Sequence, residues 1–124
     1  MAQGLTDYWI LSDAIGFAAG TTVVAEIPAK TLVVEARLLV TTLYVTGDAA
    51  TVDIGDADND DGWVDNQDVT ATTAGMYKGT VTNGAAYADT GKYYTSGGQI
   101  KAKVAGANTA GAARVLLHCL SLPL

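Results

Sequence analysis

The strongest pattern in the chain is an alternation of apolar and mixed positions from Thr31 to Val45. Leu32, Val34, Ala36, Leu38 and Val40 alternate with Val33, Glu35, Arg37, Leu39 and Thr41. A repeat of two residues is the signature of a strand with one apolar face. At about 3.3 Å per residue such a strand would run roughly 45 Å. That is long for a small domain, so a bend or bulge is expected near Thr41 and Thr42. Pro28 precedes the strand and should mark its start, because proline cannot donate to a ladder.

Shorter strands follow by the same reasoning. Asp7–Leu11 and Thr21–Ile27 precede the long strand, and Thr51–Ile54 follows a turn signal at Gly47-Asp48. Ile100, Ala102 and Val104 alternate with Gln99, Lys101 and Lys103, a strand with a basic outer side. Val115–Leu120 is apolar on both sides. The small-residue run Gly106–Gly111 lies between these last two, so they are expected to form an antiparallel hairpin. Helical signals are thin: one turn at Ser12–Phe17, and a short helix at Ala71–Met76 or Asn83–Ala88. Seven or eight strands separated by Gly, Asp and Asn turns predict an all-β domain over residues 1–124. An antiparallel β-sandwich or jelly-roll-like barrel would satisfy the pattern. Residues 1–20 are expected to be an N-terminal segment that docks onto a neighbouring subunit.

Composition narrows this picture. The chain has 124 residues, of which 49% are apolar, but 21 of those are Ala. Its core should therefore be thin. Sixteen Thr and twelve Val favour strands. Only 16% of residues are charged, a low share that suits a chain with much of its surface buried against other protein.

The net charge of −6 is unevenly spread. Residues 48–68 carry −8, residues 1–47 carry −2, and residues 69–124 carry +4. The bases are scattered, so nucleic acid is not an expected partner. No apolar run is long enough to span a bilayer, and the start lacks the pattern of a secretion signal. The expectation is a protein that stays in a cytoplasm or leaves it by another route.

Candidate chemistry is sparse. In the acidic segment Asp56, Asp58 and Asp60 have the first, third and fifth spacing of a calcium loop. The pattern then fails: Gly62 falls one position late, and Gln67 stands where a bidentate Glu is needed. No metal or cofactor is expected. If calcium binds, it should bind at Asp56, Asp58, Asp60 and Asp61. Cys119 reads as a buried, inert thiol. His118 reads as a satisfied core or interface histidine. No Ser/His/Asp set or phosphate-binding Gly loop occurs, so no catalytic residue is expected. The aromatic residues Tyr8, Trp9, Trp63, Tyr93 and Tyr94 are interface candidates. Trp63 with the downstream tyrosines Tyr77, Tyr87, Tyr93 and Tyr94 would also suit a carbohydrate- or receptor-binding platform.

The run Ile27-Pro28-Ala29-Lys30-Thr31-Leu32-Val33-Val34-Glu35-Ala36 resembles small virion proteins of tailed bacteriophages. In these a Pro turn leads into a long strand, then a Val-Asp-Ile-Gly-Asp segment and an Asp-Gly-Trp loop. Here those are Val52–Asp56 and Asp61–Trp63. Gly97–Ala102 and Gly111–Val115 match as the penultimate and last strands. The resemblance spans most of residues 23–120; the Asp-rich loop 56–61 departs from it. It implies a capsid decoration (cement) protein on the outer head surface, assembled in the host cytoplasm. The implied partners are the major capsid protein and the chain itself, as a homotrimer. A tail or neck component is the alternative from the same class.

Overall fold

In a computed structural model the chain is a two-layer antiparallel β-sandwich. Residues 4–46, 49–70 and 74–124 are described. They form nine strands: β1 Thr6–Leu11, β2 Gly20–Ile27, β3 Thr31–Thr46, β4 Thr51–Gly55, β5 Val64–Asp68, β6 Gly75–Lys78, β7 Lys92–Tyr94, β8 Gly98–Ala105 and β9 Asn108–Ser121. One sheet has the order β1-β9-β3-β6, with β7 also paired to β3. The other has the order β2-β8-β4-β5. The sheets do not close into a barrel.

The core lies between the layers. Val33, Ala36, Leu38, Val40, Val115, Leu117 and Cys119 project from the five-stranded sheet. Val52, Ile54, Ile100, Ala102 and Val104 meet them from the four-stranded sheet. Burial pushes the Cys119 thiol up to about 11, which suppresses thiolate chemistry at neutral pH.

Strand β3 shows how local irregularity decides which side chains turn inward. Its pairing with β9 shifts between Val33 and Glu35 and again between Val40 and Thr42. The second shift is the bend expected at Thr41-Thr42. The first inserts Val34 as an extra residue and reverses the phase. The apolar face is therefore Thr31 and Val33 before the bulge, then Ala36, Leu38 and Val40 after it. Leu32 and Val34, expected on that inward face, are only half-buried. A residue in left-handed conformation, Lys30 (φ 59), turns the chain from Pro28 into β3.

Three further expectations need correction. Strands β8 and β9 are not a hairpin, because they belong to different sheets and face each other across the core. Alternation shows which face a strand buries but not which strand lies beside it. The expected 106–111 turn is shorter, since β9 begins at Asn108. The segment Ser12–Phe17 is not a helical turn: Ile15 bridges Ala113 and extends the path along β9. Asn83 ends a short 3-10 helix at Val81–Asn83, and residues 84–88 that follow it form turns and not a helix. Gly47-Asp48 and residues 71–73 lie outside the described residues; Gly75 and Met76, at the end of the short helix expected at Ala71–Met76, belong to β6.

Candidate functional site

Two features outside the core have the composition of a site. The first is the acidic loop after β4. Asp56 is buried, and its carboxylate is fully engaged. Oδ1 accepts from the backbone N–H of Asp58 (3.0 Å) and Asn59 (2.9 Å), and from the Tyr87 hydroxyl (3.2 Å). Oδ2 accepts from the Lys92 ammonium (2.7 Å) and the Tyr94 hydroxyl (2.8 Å). The Lys92 Nζ also reaches Asp58 Oδ2 at 3.0 Å and sits 4.7 and 5.0 Å from the Tyr87 and Tyr94 ring centres. A lysine thus occupies the space between Asp56 and Asp58 where a cation would be sought.

The electrostatics follow from this packing. Burial alone would raise the Asp56 carboxyl, but hydrogen bonds from Lys92, Tyr94 and Asn59 outweigh it and hold it below the usual range. Burial would lower Lys92, yet its bonds to Asp56, Asp58 and Tyr87 raise it instead. Asp53 and Asp61 shift the other way. Asp53 is raised first by burial, then by Asp65 and Asp60, against a hydrogen bond from the Asn66 N–H. Asp61 is raised by slight burial and by the charges of Asp65, Asp60 and Asp53. One loop therefore contains a stabilised carboxylate and mutually repelling ones.

Trp63 is part of the same clasp. It is 1% exposed, its indole N–H donates to the Tyr94 hydroxyl at 3.2 Å, and its ring meets Tyr87 edge-on at 5.4 Å. Gly62 is required beside it, because a Cβ there would overlap the Tyr87 ring. Trp63 is therefore not available as the exposed aromatic that the alternative of a carbohydrate- or receptor-binding platform would use. Lys92 escaped the sequence reading, where it was one scattered base among seven. Its spacing to Tyr94 places both on one side of a strand, and that was the only available signal.

The second feature is the outer face of the five-stranded sheet. The register places Trp9, His118 and Glu35 in one row, and Leu11, Leu116, Arg37 and Lys78 in the next. Flanking rows hold Asp7, Leu120, Leu32 and Tyr93, and then Arg114, Leu39 and Met76. Trp9, Leu11, Met76 and Tyr93 are 53%, 52%, 45% and 36% exposed. Trp9 and Leu11 lie on the β1 side of this face and Met76 and Tyr93 on its β6 and β7 side, with half-buried leucines and charged residues between them. The acids on this face are already paired: Asp7 with His118 at 2.7 Å, and Glu35 with Arg37 at 3.3 Å and Lys78 at 3.9 Å. Trp9 stacks on His118 at 4.2 Å. Of the aromatic interface candidates, Trp9 and Tyr93 lie on this face, while Tyr8 turns inward from β1 and packs against the core.

Together these define the class: a two-layer antiparallel β-sandwich whose polar loop is closed by an internal lysine and whose one outer face carries exposed Trp9, Leu11, Met76 and Tyr93 among paired charges. Chains of bacteriophage capsids share this fold. One, from the structure described as the cyanophage Pam1 capsid asymmetric unit, aligns with a TM-score of 0.73 at 18% identity, over 99% of this chain and 89% of that one. A second, from the acidic stable capsid structure of Helicobacter pylori bacteriophage KHP30, aligns with a TM-score of 0.69 at 18% identity, over 98% of this chain and 95% of that one. No family model and no curated protein matches the chain.

Proposed function

We propose that this chain is a capsid decoration (cement) protein that binds the outer head surface and stabilises the shell against the pressure of packaged DNA. The observation that carries the reading is the end-to-end fold likeness to chains of two phage capsids. Those chains are scarcely longer than this one, since nearly all of each is covered. The likeness is thus to small whole chains and not to a domain of a large one. In this reading the apolar outer face of the five-stranded sheet lies on the shell, and the partners are the major capsid protein and further copies of the chain.

Energetics suit a protein present in many copies. Covering four half-exposed apolar side chains yields roughly 1 kcal/mol apiece, about 4 to 5 in all. Association costs are of the same order or larger, so one copy alone binds modestly and repeated contacts across the lattice supply the reinforcement. The reading invokes no catalytic group, metal or cofactor; the Lys92 ammonium fills the position between Asp56 and Asp58.

The test is co-sedimentation with mature heads. Saturable binding to heads, with raised resistance of the heads to heating, is expected. A stable protein with no affinity for heads overturns the reading, and binding confined to tails selects a tail or neck component instead.

A further inference from the structure

Among the described residues the sandwich has several open strand edges, and all but one are blunted. Strand β2 carries a register shift between Val23 and Ala25. Strand β5 carries Asn66 in left-handed conformation and a shift opposite Val52–Ile54. Strands β6 and β7 are only four and three residues long, and each bears a lysine. These are the usual devices against edge-to-edge pairing.

Strand β1 has none of them. It runs six residues, pairs with β9 without a register shift, and contains no Lys, Pro or Gly. Its other side has no strand partner among the described residues. The ladder phase fixes which groups are free. The Ser12 N–H donates to the Val115 carbonyl at 2.9 Å, so even positions bond to β9. By alternation the N–H and C=O groups of Asp7, Trp9 and Leu11 point to the open edge.

We propose that this edge pairs with β1 of a second copy, antiparallel about a two-fold axis at Trp9. The two five-stranded sheets then become one continuous sheet with a continuous apolar outer face. Trp9 lies opposite Trp9 of the second copy, and Asp7 opposite Leu11. The three pairs exchange about six main-chain hydrogen bonds. Charge selects this arrangement. Parallel pairing in register would stack Asp7 on Asp7, whereas here the two Asp7 residues end about 13 Å apart. Identical strands meeting antiparallel is also what a two-fold axis generates. The contact is smaller than the roughly 800 Å² per partner of a standard interface, so it is weak in dilute solution. It is a property of the isolated chain and stands or falls independently of head binding.

The experiment is sedimentation of the isolated full chain over a concentration series, with no heads present. The unsubstituted chain is expected to show a monomer–dimer equilibrium below about 1 mM. Leu11→Lys places a cation opposite Asp7 of the second copy and tightens the dimer. Leu11→Asp places like charges opposite each other and weakens it. Each shift is roughly 2- to 30-fold, because the axis makes every substitution count twice. A readout on the unsubstituted chain covers misfolding of the variants. Amide exchange at Trp9 and Leu11 slows with rising concentration, whereas Tyr8 and Ile10, bonded to β9, are protected throughout. A monomer at all concentrations, a trimer, or Leu11 variants that shift the same way overturns the proposal, as does concentration-independent exchange at Trp9 and Leu11.

Discussion

The two outer faces of the sandwich share a backbone plan and differ in what they present. The face of the five-stranded sheet shows Trp9, Leu11, Met76 and Tyr93, with its acids already paired to bases beside them. The face of the four-stranded sheet shows Thr21, Glu26, Gln99, Lys101, Lys103, Thr51 and Asp53, with Val23 its single large exposed apolar group among the described residues. Both sheets need one apolar side for the core. Only one of them has a second. Folding does not require that extra apolar surface, since the polar sheet closes the same core without it. The proposed function assigns this surplus to contact with other protein.

The largest effect is expected where both faces depend on the same layer. Leu38 is fully buried at the centre of β3, between the sheets. Leu38→Asp places an unpaired charge there and should abolish folding, read as loss of soluble protein or of the cooperative melt. Soluble protein with an ordinary melt would contradict the register of β3.

Next comes the clasp that joins the end of β4 to β7. Asp56→Ala leaves the Lys92 ammonium without its closest partner and frees four neighbouring donors, the N–H groups of Asp58 and Asn59 and the hydroxyls of Tyr87 and Tyr94. A cost of about 3 kcal/mol is expected, seen as a drop of about 10 °C in Tm. The same carboxylate sets the acid limit. Its folded pKa lies below its unfolded value, so its contribution is complete above about pH 4 and is lost as pH falls further. Stability measured from pH 7 to pH 2 should hold to about pH 4 and then decline. A decline starting near pH 6 would exclude Asp56 as the cause.

Smaller in stability but decisive for the comparison are matched charges on the two faces. Tyr93→Glu on the apolar face should lower head binding more than about tenfold, while Val23→Glu on the polar face should leave it within about twofold. Both should stay within roughly 0.5 kcal/mol of the parent in stability, as exposed substitutions do. Equal losses from the two would erase the distinction between the faces.

The smallest expected effect contrasts two carboxylates of one loop. Asp61 is raised by its own slight burial and by its acidic neighbours, so Asp61→Asn should be neutral or stabilise by a few tenths of a kcal/mol, screening having reduced the repulsion. With Lys92 seated between Asp56 and Asp58, calcium or EGTA should move Tm by less than about 1 °C. A calcium-dependent rise of several degrees would mean that the ion displaces the lysine.

Much of this architecture was legible because long strands carry long periodic signals. Strands β1, β2, β3, β4 and β8 were predicted within one residue or so at each end. Strands β6 and β7 have four and three residues, too few to show a period, and β5, Val-Asp-Asn-Gln-Asp, has a single apolar residue. Alternation alone puts Leu32 and Val34 on the inward face of β3, because a bulge leaves no mark in a run of branched apolar residues. The charge of the acidic loop was plain, but its partner was not: Lys92 lies 36 residues beyond Asp56, and only tertiary folding brings them together. Trp63 looked like a surface aromatic because its sequence neighbours are acidic. It is buried because the loop folds over it and its indole N–H finds the Tyr94 hydroxyl.

The central claim is that the apolar face of the five-stranded sheet is the one that meets the capsid shell. The direct measurement is a reconstruction of decorated heads at a resolution that separates the two sheets. Density should show Trp9, Leu11, Met76 and Tyr93 against the shell, with Lys101, Lys103 and Asp53 facing solvent. A bound copy with the four-stranded sheet against the shell, and those four side chains in solvent, would contradict the account.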